Sequence, residues 1–451
     1  MARDGMTGPA SGMDALAEGG AAEADVEAAS AAAAIPPAFV AQSLREYATA
    51  WVLRVRNGDS GQLPVVLALA AIVIAFQVWT HGLFLTAGNL VNLFIESMVF
   101  MTLAMAEVFV LLLGEIDLSV GYVLAVGAVI AGRLVQKPGP DLPWWLAIIG
   151  ALVCCAAIGA VWGALVSRLR LPSFIVTLAG LLIMWGLMLV LLPAQGLSVA
   201  SPILHNQHVI YEIVNGNIAP LAGWIILAVV VALFGAAHWS SMARRRRSGL
   251  AAAPPSVTIM KIALSTAVGV AVVAICNVNR GVANATVEGV PWAVPIVLGV
   301  LLVWSVLLQR TPFGRYVYAI GGNPESARRA GINLATVRLL GFVFCSLTAG
   351  IAGLLYLSWQ GGASSSVDGG SLVLYAVAAA VVGGTSLYGG RGRAVHSILG
   401  GLVIGAIYNG LYLEGIPIQW QLIATGLVLL AAILVDTFSR RGAMTGSVTR
   451  I

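Results

Sequence analysis

Apolar runs of about twenty residues, the length that crosses a bilayer, recur along this chain from residue 63 to residue 436. Inside lipid each backbone N–H and C=O must find its partner within the protein, which leaves helices as the natural form for such runs. The runs fall at about 63–80, 89–113, 119–136, 143–167, 172–193, 218–239, 257–278, 291–309, 334–358, 371–390, 395–413 and 418–436. With 59% hydrophobic and 10% charged residues, against about 25% charged in a soluble domain, the expected fold class is an all-α polytopic membrane protein. About 10–12 transmembrane helices are expected, some of them interrupted; the runs at 119–136 and 395–413 are short enough to be re-entrant.

Charge orients this threading. Lys and Arg concentrate in cytoplasmic loops. With both termini cytoplasmic and twelve crossings, every Lys and Arg except Arg133, Lys137 and Arg280 falls on the inner side. The pI of 9.2 then reports topology and not nucleic-acid binding, because the arginines are scattered between apolar spans instead of forming one patch.

Residues 1–60 read as a disordered cytoplasmic tail rich in Ala, Gly, Glu and Ser, with an interfacial amphipathic helix at 41–57. No basic segment precedes an apolar one there, so the tail does not read as a cleaved signal peptide. The transmembrane domain is expected over 61–440, and 441–451 as a second cytoplasmic tail. Within the domain a basic linker at 240–256 divides the chain roughly in half. Cys154, Cys155, Cys276 and Cys345 lie inside apolar runs without metal-ligand spacing and read as packing residues. No cofactor, metal site or enzyme constellation is expected. The only lysines are Lys137 and Lys261, followed by Pro138 and Ile262, so the chain has no Walker A loop of its own.

Three polar segments interrupt the apolar pattern. Gly114–Gly121 places Glu115, Asp117 and Ser119 between two apolar runs, where carboxylates are expensive and face a cavity or a partner. A gate or translocation path is one reading. Capping of the next helix by Asp117 or Ser119 is the other. Gly383–Gly390 carries Thr385 and Ser386 in a second break, and paired interruptions in the two halves point to a transport path. The third segment, 310–338, is too polar to span. Asn323 reads as an N-cap, Pro324 as a first-turn residue, Glu325 as a charge at the positive helix end and Gly331 as the stop. The resulting helix, about 324–330, is too short to stand alone in water and must dock.

Four motifs carry a family resemblance: GEIDLSVG at 114–121, PSFIVTLAG at 172–180, FGRYVYAIGGNPESARRAGIN at 313–333 and VVGGTSLYGG at 381–390. In this order they resemble the membrane permeases of sugar ATP-binding-cassette importers, the ribose/xylose branch that is also similar to branched-chain amino-acid permeases. The likeness covers about residues 60–440, and GVPWAVPIVL at 289–298 leans toward xylose. The resemblance implies an inner-membrane permease homodimer, separate cytoplasmic ATPase subunits and a periplasmic sugar-binding protein. It also implies that the loop helix is a coupling helix, with Asn323, Pro324, Glu325, Arg328, Arg329 and Gly331 meeting the ATPase. Three features depart from the family pattern: Ser371-Leu-Val-Leu-Tyr375 stands where a carboxylate is usual, Arg391 and Arg393 replace small residues, and the 60-residue tail is extra. The main rival reading is a proton-coupled secondary transporter using Glu96, Glu107, Glu115 and Asp117. An importer of the same class with amino-acid or nucleoside cargo is the other.

Overall fold

The structure, a computed structural model, describes residues 62–137, 139–248, 254–281 and 286–431, together with Thr49 and Leu434. The tails at 1–60 and 441–451 and the helix expected at 41–57 therefore lie outside the described residues, apart from Thr49.

A helix stands at each of the twelve expected spans. In chain order they are α1 (Leu63–Trp79), α2 (Ala87–Leu112), α3 (Val120–Val135), α4 (Trp144–Arg168) and α5 (Ser173–Leu191), then α7 (Pro220–Arg247), α8 (Pro255–Cys276), α9 (Ala293–Arg310), α12 (Leu334–Gln360), α13 (Gly369–Val382), α14 (His396–Leu413) and α15 (Ile418–Ala431). Eight are long and apolar enough to cross a membrane; α1, α3, α13 and α15 are shorter. The run expected at 371–390 ends as a helix at Val382, because Gly384, just past the Gly383 cap, takes positive φ and turns the chain out of it. The basic run Arg244–Arg247 is the last turn of α7, not an extended linker. Cations there complement the negative end of the helix dipole.

Three further helices were not expected as such or were expected in part: α6 (His205–Asn215), α10 (Pro312–Gly322) and α11 (Pro324–Arg329). Two small antiparallel ladders join loops that are far apart in sequence. Strand β1 (Leu197–Ser198) pairs with β4 (Gly362–Ala363), and β2 (Asn217–Ile218) with β3 (Val290–Pro291).

The described chain divides into two compact units. One holds Leu233–Ala263, the facing stretches of α7 and α8, where the Thr258 hydroxyl donates to Met242 Sδ at 3.6 Å. The other holds the described residues of 62–232 and from 264 onward and contains the motifs. At its centre is α2, whose most apolar window is 94% buried against 28% for α5. Helices α12, α13 and α14 pack around it. Lipid offers no hydrophobic drive between helices, so close approach of small residues and interhelical hydrogen bonds must hold them. At Gly400 an added Cβ would collide with the Ala379 carbonyl oxygen, which shows how closely α14 approaches α13.

Polar side chains join α2 to α14. Asn89 Nδ2 donates to Asn409 Oδ1 at 2.8 Å, and Asn409 Nδ2 donates to Glu96 Oε2 at 3.0 Å, all three buried. Interhelical hydrogen bonds in membranes average only about 0.6 kcal/mol, but truncating Asn409 also leaves a buried carboxylate unpaired. Asn409→Ala is therefore expected to destabilise the protein by about 1–3 kcal/mol. The check is thermal unfolding in detergent, and an unchanged midpoint would remove the network from the account of stability.

Candidate functional site

The four sequence motifs, dispersed over more than half the chain, come together in the larger unit. The first is the break after α2. Gly114 takes φ +76°, its N–H donates to Leu111 O at 2.9 Å, and Glu115 N–H donates to Val110 O at 3.0 Å. This left-handed closure satisfies the last carbonyls of α2. Asp117 follows, with no exposed surface, and its Oδ1 accepts from the Ser119 backbone N–H at 2.9 Å and from the Ser119 hydroxyl at 2.6 Å. Ser119, also fully buried, is the N-cap of α3, yet its side chain makes no capping bond; Asp117 orders the turn instead.

The second motif braces this turn. Ser173 Oγ accepts from the Ile116 N–H at 3.4 Å, and the Thr177 hydroxyl reaches Ile116 O at 3.3 Å and Ser173 O at 3.0 Å. Two hydroxyls one helical turn apart on α5 thus hold the backbone of the broken segment.

The fourth motif lies on the other side. Gly390 N–H donates to Leu112 O at 2.9 Å. Thr385 and Ser386 are buried, at 1% and 3% exposure. Ser386 Oγ accepts from Tyr388 N–H at 3.1 Å, Ser386 N–H donates to Arg391 O at 2.9 Å, and the Thr385 hydroxyl has no hydrogen-bond partner among the described residues. The two breaks touch through Leu112, Gly114, Tyr388 and Gly390.

The third motif closes the arrangement. Helix α10 buries Val317 and Ile320, and Tyr318 Oη donates to Gly392 O at 2.8 Å. At Gly321, an added Cβ would collide with both the Leu112 carbonyl and the Gly390 backbone nitrogen. Three motifs meet at nearby Gly389, where an added Cβ would press on the Gly321 carbonyl oxygen and the Gly114 nitrogen. Helix α11 then turns outward. Asn323 Oδ1 accepts from Ser326 N–H at 3.0 Å, Pro324 occupies the first turn, and Gly331 takes φ +83° just beyond the last turn. Glu325 pairs with Arg328 at 2.9 Å and with Arg329 at 3.3 Å. Their side chains are 51%, 67% and 79% exposed, and Ala327 alone in this helix is buried.

Two features were missed by sequence reasoning. Glu115 is not free: its Oε1 lies 3.2 Å from Arg338 Nε at the start of α12. Glu107, fully buried on α2, faces Asp117 without a well-formed hydrogen bond to either carboxylate oxygen, and the Cys345 thiol lies against the same Asp117. No spacing rule links residues so distant in sequence. Among the described residues no three His, Cys, Asp or Glu side chains are grouped to hold a metal ion. The arrangement is a set of closely packed turns, broken helices and one exposed charged helix.

The family described as branched-chain amino acid transport system / permease component matches residues 89–433. The chain is 33% identical to a xylose transport system permease protein of Escherichia coli, over 84% of this chain and 92% of that protein. It is 34% identical to a xylose transport system permease protein of Haemophilus influenzae, over 84% and 96%. It is 30% identical to a ribose import permease protein of Escherichia coli, over 87% and 96%. No solved structure matches.

Proposed function

The chain belongs to the family of branched-chain amino acid transport system permease components, and on that premise we propose that it is the membrane subunit of an ATP-binding-cassette importer for a monosaccharide, with a xylose-like pentose favoured. Two copies form the pathway across the inner membrane, with their termini in the cytoplasm. Separate ATPase subunits bind below and a periplasmic sugar-binding protein docks above. The sugar preference follows from the xylose and ribose permeases at 30–34% identity.

The observation that carries this reading is the exposed helix α11 on a loop whose other end, at Gly321, packs against the turn after α2. A helix of six residues is too short to be stable alone, and its outward Glu325, Arg328 and Arg329 suit a polar docking rim. Asn323, Pro324 and Gly331 set its limits. Closure of the ATPases on ATP would move α11, and the motion would reach Glu115, Asp117 and Ser119, and Thr385 and Ser386, as the gate. Binding energy can shift such a gate only through different affinities for its two states.

The buried Glu107 beside Asp117 gives the proton-coupled alternative its one specific support. Purification from the native membrane separates the two. An ATPase subunit that comes with the chain supports the importer. A chain that arrives alone and moves sugar in liposomes only under a proton gradient overturns it.

A further inference from the structure

Among the described residues, four of the five ion pairs join side chains three or four positions apart: Lys137 with Asp141, His208 with Glu212, and Glu325 with Arg328 and with Arg329. The fifth, Glu115 with Arg338, joins the turn after α2 to the helix that follows the loop 310–333. It is also the least exposed of the five, at 14% and 28%. Exposed pairs are worth little, whereas a shielded pair between distant segments can hold them in register.

Local physics does not favour Glu115 where it stands. It sits just past the C-terminus of α2, where the helix dipole is negative and a carboxylate is disfavoured. A residue placed against its local preference points to a requirement beyond the helix end, and Arg338 is the cation that meets it. The contact is close but poorly directed: Arg338 Nε is closed off from solvent and lies 3.2 Å from Glu115 Oε1, yet it makes no hydrogen bond of full geometry. Such a pair can part without breaking a strong directed bond.

Its position connects the two moving parts. Ile332 N–H donates back to Ala327 O at 3.1 Å, and Asn333 caps α12 by accepting from Thr336 N–H at 3.1 Å. Helix α11 therefore passes into α12 through only Ala330–Asn333, and Arg338 lies just beyond the first turn of α12. On the other side, Glu115 is two residues from Asp117, which orders the start of α3.

We propose that the Glu115–Arg338 pair is a positioning latch through which displacement of the loop at 323–333 reaches the turn that begins α3, holding that turn in the state seen here and releasing it when the loop moves. This rests on the reading of the chain as an ATP-driven importer. The test uses the complex purified with its own ATPase and binding protein and reconstituted in liposomes, with labelled D-xylose, D-ribose and D-allose as probes. The measured quantity is sugar moved per ATP hydrolysed. Glu115→Gln and Arg338→Gln are each expected to lower it about tenfold, within the range of coupling between distinct sites. Membrane content and thermal midpoint should stay close to wild type. The exchanged pair, Glu115→Arg with Arg338→Glu, should recover most of the ratio. A wild-type ratio in both single variants overturns the latch, as does a loss of stability with the ratio preserved. Absence of ATP-driven uptake by the wild-type complex is a different result: it overturns the importer reading and the latch with it.

Discussion

Reversing the charge of Arg328 and Arg329 together is expected to abolish ATP-dependent sugar uptake while the protein still inserts in the membrane. The two side chains are 67% and 79% exposed, and among the described residues both form their ion pairs with Glu325. Within the chain the cost is small, because like-charge pairs on an exposed helix are worth about 0.2–0.5 kcal/mol each. Across a docked interface the same reversal opposes like charges and costs several kcal/mol. Uptake should therefore fall by about two orders of magnitude or more, since each 1.4 kcal/mol is about tenfold. Membrane content, measured by immunoblot, should hold, and the ATPase should no longer co-purify. Unchanged uptake would remove α11 from the coupling path.

The second large effect comes from one methyl group. Gly321→Ala places a Cβ into the Leu112 carbonyl and the Gly390 backbone, atoms that can yield only by moving whole segments. Neighbouring Gly322, in the same helix, has no atom within 4 Å of such a Cβ. Gly322→Ala should transport like the wild type, and Gly321→Ala should lose most uptake. Helix propensity improves at both positions by nearly 1 kcal/mol, so a difference between them reports packing alone. Equal activity in the two variants would show that the meeting of α10 with the two breaks is dispensable.

The twelve helices were legible because each is a continuous apolar run, and such runs carry their own length signal. Helix α13 was overextended in the sequence because Leu387 and Tyr388 continue the apolar character past the glycines that end it. Helix α10 had readable signs, with Thr311 before Pro312 and Phe313, Val317 and Ile320 on one face. They were masked by the polar composition of the loop around them. Helix α6 buries Gln207, Ile210 and Val214, a helical spacing that is lost in an otherwise polar segment. For the site, Asn323 and Gly331 were legible because caps and stops obey local rules. The N-cap of α3 was half legible: Asp117 does order the turn, by bonding to Ser119. The partnership of Glu115 with Arg338, and the bracing of Ile116 by Ser173 and Thr177, depend on which helices lie side by side. Periodicity along one chain holds no record of that.

The burial of α2 has a consequence for biogenesis. Its neighbours α12, α13 and α14 are all made after it. About 220 residues separate Leu112 from Leu334, and at about 5–20 residues per second the ribosome takes roughly 10–45 seconds to supply them. Through that interval α2 holds Glu96 in a bilayer without its partner Asn409, and Glu107 without the later helices that finally enclose it, a state that lipid penalises. The nascent chain must therefore be sheltered at the translocon or by an insertase until its second half arrives. Chains stalled before residue 334 should be marked for proteolysis by the same helix that later forms the centre of the finished protein.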